Sequence, residues 1–298
     1  GNNDLPGILT ASAITTYLNR YAVGVGRRVL LLTSNDHAYQ GACDLAKAGV
    51  AVTLADTRHS LNPAWEKRVA AAGIELFKGY GIAAAQGSHA VKGAHLVHLA
   101  EGDNRATGNG PFVPCDALGS SGGLSPTVHL YCHDGGRPTW DESRLAFLIP
   151  AEGRAKSGIY CAGAVTGEFG LQQALTSTRK TMVALLTSLG KTPASSIEAF
   201  DCDEPQATPA RRIFRVPDGK HEGHGKKAFV DYQNDVAASD IHLAIRENYK
   251  SIEHIKRYTA LGFGTDQGKL GNINGMALAA RAMKRPIGEV GTTTFRPN

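Results

Sequence analysis

The residues best placed to do chemistry stand at the two ends of one stretch, Val29 to Arg58. At its far end Asp56 closes an apolar run, the place from which a carboxylate takes a ribose hydroxyl of a bound dinucleotide. At its near end the turn that would cradle a pyrophosphate calls for G-x-G-x-x-G, because bare glycine backbone lets phosphate reach the following helix. Those three positions hold Thr33, Asn35 and Ala38. The stretch keeps the outline of a nucleotide site without its phosphate cradle, so Asp56 is expected to be a surface carboxylate. Ser34 and His37 bring a hydroxyl and an imidazole together, but capping of the helix by Ser34 or Asn35 explains the turn better than nucleophilic catalysis does.

Two further stretches carry candidate groups. In Ser157 to Gly170, SGIYCAGAVTGEFG, an apolar strand over Gly158 to Cys161 ends in Ala162, Gly163 and Ala164 and feeds a long helix. Free backbone N–H groups there suit a phosphate or ribityl group, and small residues equally suit an ordinary strand-to-helix turn. In Gly264 to Gly271, Thr265, Gln267 and Lys269 sit in a glycine-bearing turn ahead of a helix, either a phosphate seat or a helix start with a solvated lysine. His95 and His98 point to opposite faces of a strand and cannot chelate. His221 and His224 have HxxH spacing but no further ligands, and no metal site is expected.

The elements that must position these residues follow from periodicity. Val29 to Arg58 reads as a βαβ unit. Ahead of it, the turn GNNDLPG leads into an amphipathic helix over Ile8 to Tyr21, closed by Gly24 and Gly26, with Asp4 a candidate cap for a helix start at Pro6. Trp65 to Ala72 reads as a helix, and Ile74 to Lys78, Ala94 to Leu99 and Val113 to Leu118 as strands, with a polar turn over Glu101 to Gly110. Residues 27–130 thus form an α/β layer. His133 to Gly136 marks a hairpin turn. A long helix over Leu171 to Leu189 stops at Gly190, and Thr192 to Lys227 is a linker or irregular wrap. A strand over Ala228 to Tyr232 and helices near Ala238 to Asn248, Ser251 to Thr259 and Asn272 to Lys284 complete the chain.

Composition bounds the function. The 298 residues, 42% hydrophobic and 20% charged with 35 glycines, suit a globular α/β chain of about two domains. A net charge of +5 without a run of Lys or Arg argues against a nucleic-acid partner. Five scattered cysteines with no C-x-x-C pair suggest a reducing cytoplasm, and no apolar run approaches a membrane span. The start GNNDLPG, without an initiator Met, suggests a piece of a longer protein.

The order of parts, from GNNDLPG through CDALGSSGGLSP to GIYCAGAVTG before a long helix, resembles the flavoprotein reductases that have two dinucleotide-binding domains, one inserted in the other. More closely, NNDLPGILTASAITTYLNRYAVGVG, the segment from VDYQNDVAASD to GNINGMA, and EVGTTTFRP resemble the α subunits of heterotetrameric sarcosine oxidases. The resemblance implies a Rossmann-like FAD/NAD-linked reductase architecture. Residues 1–26 and 131–195 would be parts of an outer dinucleotide-binding domain, with 27–130 an inserted NADH-domain-like unit. Residues 196–227 would be a linker, 228–291 a helical degenerate ferredoxin-like domain, and 292–298 a tail toward a further half.

In that family the complex oxidatively demethylates sarcosine with oxygen, giving glycine, formaldehyde and hydrogen peroxide. The resemblance implies partner β, γ and δ subunits, amine oxidation on FAD of the β subunit, FMN at the α/β interface and NAD in the α subunit. No catalytic residue is then expected in this chain. Asn2, Asn3, Asp4, Ala162, Gly163 and Ala164 would border NAD, and Thr265, Gln267 and Lys269 would contact FMN. Related subunits hold a 2Fe–2S cluster with C-x-C and G-x-C-Q-G-x-x-C. Here those places read Asp231-Tyr232-Gln233 and Gly264 to Gly271, with no cysteine beyond Cys202, so no iron–sulfur cluster is expected. A cofactor-free assembly scaffold and a free-standing NAD-dependent reductase are the alternative readings.

Overall fold

A computed structural model describes residues 1–150, 158–192, 201–202, 207–218 and 227–291. The chain divides into two units, the first comprising Gly1–Gly123 with Thr208–Val290 and the second Leu124–Ala207 with Gly291–Asn298.

The first unit opens with β1 (Ile8–Thr10) and α1 (Ala11–Tyr21), followed by β2 (Arg28–Thr33), α2 (His37–Lys47), β3 (Ala51–Asp56), α3 (Pro63–Ala71) and β4 (Glu75–Lys78). Next come β5 (Tyr80–Gly87), β6 (Val91–Leu99), β7 (Ala106–Pro114) and β8 (Ala117–Ser121). A parallel sheet runs in the order β1-β8-β2-β3-β4, and β5-β6-β7 form a separate antiparallel meander.

Both faces of the parallel sheet are covered, which explains why β2 reads as an unbroken apolar run. Val29 and Leu31 pack with Ile14, Tyr39, Leu45 and Leu54 among the helices, while Leu30 packs with Ala94, Leu96 and Leu118 toward the meander. Gly41 lets α1 approach α2 closely: a Cβ there would lie 2.4 Å from Thr15 Oγ1. The register β2 to β3 brings Thr33 beside Asp56, so both ends of the candidate site meet at the carboxyl edge of the sheet.

Several expectations are corrected. Ile8 to Thr10 is a strand paired with β8, not the first helical turn, and Thr10 Oγ1 caps α1 by accepting from Ala13 N at 3.2 Å. No helix therefore starts at Pro6 for Asp4 to cap. Ala22, left-handed at φ 55°, closes α1 rather than Gly24 or Gly26. Val113 to Leu118 straddles β7 and β8, and half of the supposed polar turn Glu101 to Gly110 lies in β7.

The second unit holds α4 (His129–His133), β9 (Thr139–Asp141), β10 (Ala146–Leu148), a 3-10 turn over Gly163–Thr166 and α5 (Leu171–Ser188). The hairpin turn lies between β9 and β10, not at His133 to Gly136, where His133 ends the short helix α4. Gly158 to Cys161, expected as a strand, has no strand assignment, and Gly158 adopts φ +83°. Its apolar residues Ile159 and Cys161 instead pack on Val128, Tyr131 and Ile149.

The chain returns to the first unit with β11 (Phe229–Asp231), β12 (Val236–Ala237), α6 (Ala238–Arg246), α7 (Ile252–Thr259), α8 (Asn272–Ala282) and α9 (Ile287–Val290). The predicted strand and three helices of this region are all present. Ile241, Ile255, Leu261 and Met276 are fully buried and form its core.

Candidate functional site

In an open parallel sheet, ligands bind in the crevice outside the carboxyl ends of the strands. Here that crevice is filled by the chain itself. Thr33, Ser34 and Asn35 are all buried. Thr33 Oγ1 donates to Asn35 O at 2.8 Å, Ser34 Oγ to Gly122 O at 3.2 Å and Asn35 Nδ2 to Ser121 O at 3.1 Å. Asn35 Oδ1 accepts from His37 N at 2.9 Å and uses an N–H a phosphate would need, while the N-cap of α2 is Asp36, without a side-chain cap bond, and not Ser34 or Asn35 as expected.

Asp56 is not a surface carboxylate: its relative exposure is 0%. Its Oδ1 accepts from Arg58 N and Nε at 2.8 and 3.0 Å, and its Oδ2 from Arg58 Nη2 at 2.7 Å and the Tyr39 hydroxyl at 2.8 Å. Arg58 Nη1 also pairs with Asp36 Oδ1 at 2.8 Å. A buried charge is tolerable only when paired and hydrogen-bonded, and this network meets that condition. Burial and the adjacent Asp56 charge push the Tyr39 phenol well above its ordinary value. Burial opposes the Arg58 charge, but its bonds to Asp56 and Asp36 outweigh it and raise the guanidinium further.

A strap over Thr208 to Arg212 lies across the same edge. Thr208 N donates to Asp36 Oδ2 and Arg211 N to Ser34 O, both at 2.8 Å. The Arg211 guanidinium donates to the carbonyls of Thr57, Ala100 and Asp103, and Asn104 Nδ2 holds Arg212 O at 2.6 Å. The crevice at the carboxyl edge of this sheet therefore does not fit a dinucleotide: the carboxylate at the ribose position is saturated, the phosphate turn is bonded inward and the opening is strapped.

The other predicted residues fall in separate places. Asn2 and Asn3 tie the first turn down. Asn2 Nδ2 donates to Ala85 O at 3.2 Å, while Asn3 exchanges bonds with Phe229 at 2.9 and 2.8 Å and donates to the Tyr232 hydroxyl at 2.7 Å. Asp4 is exposed, and burial together with its charge raises the Tyr232 phenol. Ala162, Gly163 and Ala164 belong to the second unit. Gly163 adopts φ +78°, which explains the glycine, and its N–H donates to Ser177 Oγ at 3.1 Å on α5.

Thr265, Gln267 and Lys269 share one loop of the first unit. Thr265 Oγ1 donates to Gln233 Oε1 at 3.2 Å, and Asp266 N donates to the same oxygen at 3.2 Å. Gln267 Nε2 reaches Gly264 O at 2.9 Å. Asp231 Oδ1 accepts from Gln233 N and Asn234 N, and its Oδ2 accepts from Gly262 N at 2.7 Å. Asp231 and Gln233 thus join the turn after β11 to the loop of Gly262 to Asp266 by hydrogen bonds. Thr265 and Lys269 remain exposed, flanked by exposed Phe263, Leu270 and Tyr232.

The remaining candidates are structural. His95 meets Gln86 at 3.2 Å and His98 meets Thr107 at 2.6 Å. His221 and His224 lie outside the described residues. Among the described residues no group of three or more His, Cys, Asp or Glu could hold a metal ion, and no helix is long and apolar enough to cross a membrane. All five cysteines are free, and burial with the neighbouring Asp116 pushes the Cys115 thiol up to about 11. Arg58, Tyr39 and Arg211 escaped the sequence reading. The only local signal was the charge pair Asp56 and Arg58, two residues apart.

A doubly covered parallel sheet with an antiparallel meander defines a Rossmann-like α/β fold. Over 99% of its length the chain superimposes on L-proline dehydrogenase from P. horikoshii, covering 52% of that chain with TM-score 0.64 at 18% identity, a likeness of fold. Residues 225–298 match the sarcosine oxidase A3 domain family. The whole chain is similar to sarcosine oxidase α subunits: it is 36% identical over 299 residues to that of Rhizobium meliloti (strain 1021), and 33% identical over 304 residues to that of Corynebacterium sp. (strain P-1). It spans 28% and 30% of those two relatives. The resemblance read from the sequence is thereby shown.

Proposed function

We propose that this chain is the NAD-supporting and assembly segment of a sarcosine oxidase-type α subunit, an oxidoreductase component working in the cytoplasm. Residues 131–195 contribute to an outer domain that holds NAD together with residues outside this chain, with Ala162 to Ala164 at its border, whereas residues 1–26, expected in that domain, supply β1 and α1 to the first unit. Residues 27–130 serve as a scaffold and 228–291 as a cluster-less domain facing the FMN interface; of the expected linker 196–227, Thr208 to Arg212 instead straps the first unit. Residues 292–298 lead toward a further half. Oxidative demethylation of sarcosine proceeds on FAD of a partner β subunit, within an assembly that also contains γ and δ subunits.

The filled crevice at Ser34, Asp56 and Arg211 carries this reading, because it removes the inserted unit as a dinucleotide site. Support for the FMN contact comes from the exposed Thr265 and Lys269 beside Phe263 and Leu270, which offer polar groups for a ribityl phosphate next to an apolar platform. When bound, FMN would supply one-electron chemistry, and these residues would hold and orient it. Reconstitution with the β subunit tests this: Lys269→Ala and Thr265→Val should lower bound FMN at least about tenfold while leaving bound FAD unchanged. Equal FMN content in variants and parent would overturn it.

A cofactor-free assembly scaffold is the second reading. The hydrogen-bonded Asp231 and Gln233 at the cluster positions favour it for residues 228–291. Retention of FMN that depends on Lys269 decides between the two.

A further inference from the structure

Gln233 and Thr265 divide their hydrogen-bonding groups between the protein and the solvent. Asp266 N, which can only donate, meets Gln233 Oε1 at 3.2 Å, so the oxygen of that amide and not its nitrogen faces the loop. The Thr265 hydroxyl reaches the same oxygen at 3.2 Å and therefore gives its single proton to it. Gly264 keeps the contact close, since a Cβ there would overlap Gln233 Oε1. Both residues are exposed. What remains for a ligand is fixed by these bonds. Thr265 Oγ1 keeps only lone pairs, while Gln233 Nε2, on the same amide plane, keeps two N–H donors that have no partner among the described residues.

A held donor beside a held acceptor complements a C=O next to an N–H on one edge of a ring, the pattern of a lactam or an imide. A phosphate, which accepts at its oxygens, suits only the donor half. Two exposed rings flank the pair: Tyr232, 44% exposed, precedes Gln233, and Phe263, 55% exposed, stands two residues before Thr265. Asn3 Nδ2 donates to the Tyr232 hydroxyl at 2.7 Å and tethers that ring. Flat ligands bind where aromatic side chains supply area and a few placed polar groups set the orientation. We propose that Gln233 and Thr265 read the N–H and C=O edge of a flat heteroaromatic ring, which in the FMN seat described above is the N3–H and C4=O edge of the flavin. Gln233 Nε2 donates to the ring carbonyl, and Thr265 Oγ1 accepts from the ring N–H. Gln233 thereby joins the cofactor contacts, on the reading that this loop meets FMN, and Thr265 touches the ring instead of the phosphate.

The assembly with the β subunit, stripped of FMN and titrated with FMN or N3-methyl FMN under flavin fluorescence, tests this, because the two ligands share the phosphate and differ at the ring N–H. The parent is expected to hold FMN at least about tenfold tighter than the methylated form, and Thr265→Val to abolish that preference. Gln233→Glu keeps an oxygen for the loop but lacks the donor, and should weaken FMN about tenfold with an unchanged circular dichroism spectrum. Equal affinity of the parent for the two flavins, or a preference that survives Thr265→Val, would overturn the ring contact; if Thr265→Val still weakened FMN, the phosphate reading would stand alone. Full FMN affinity in Gln233→Glu would remove Gln233 from the site. FMN retention indifferent to both Thr265→Val and Lys269→Ala would overturn the seat itself.

Discussion

Asp56 accepts five hydrogen bonds with no surface exposed, and Tyr39 supplies one of them from a fully buried ring. Removing that hydroxyl leaves a buried carboxylate one donor short, so Tyr39→Phe should cost about 1.5–3 kcal/mol at neutral pH, measured by urea unfolding. The same bond sets a pH dependence. The folded phenol is raised above its ordinary value of 10.0, so the folded chain keeps its proton where the unfolded chain loses it. The Tyr39 contribution is therefore full below about pH 10 and falls progressively as pH rises above it. Tyr39→Phe should flatten the alkaline limb of a stability profile, and an unchanged limb would remove Tyr39 as its cause. None of this was readable from the sequence, where Asp56 looked like a ligand that had lost its site. A carboxylate at a strand end signals chemistry only if its partners are absent, and these partners come from α2 and from the residue two positions on.

At the scale of elements, the strap from Thr208 to Arg212 holds the edge of the sheet through backbone bonds and one guanidinium. Arg211→Ala should speed proteolytic cleavage within residues 207–218 and leave the parallel sheet folded; unchanged cleavage would show that the guanidinium does not secure the strap. The βαβ unit was legible because β2 and β3 are apolar on both faces and α2 is apolar on one. β5, with the sequence YGIAAAQG, was not: its alanines and glycines carry weak strand propensity, and pairing with β6 determines it. The strap was equally hidden, since Thr208 and Asp36 stand 172 residues apart and no local pattern joins them. Gly264 to Gly271 was correctly placed ahead of a helix, but Gln233 as the group that organises it was not foreseen.

On the scale of the whole molecule, α5 has no buried residue along its 18 positions, and Leu171, Met182, Val183 and the C-cap Leu189 are exposed. A helix this long is stabilised in proteins mainly by packing an apolar face, so α5 needs a cover that the remainder of a larger subunit can provide. The chain spans less than a third of the two sarcosine oxidase α subunits it was compared with, which leaves ample length for one. Met182→Glu should change the stability of this chain alone by no more than about 0.5 kcal/mol, yet lower the yield of assembled subunit. Normal assembly would mean that this face is not covered. On the function proposed above, NAD in such a subunit sits away from the sheet edge at Thr33 to His37. Amide hydrogen exchange of the intact subunit, with and without NAD, tests it most directly. Protection is predicted at Ala162 to Ala164 with no change at Ser34 to His37, and NAD-dependent protection at Ser34 to His37 would contradict the account.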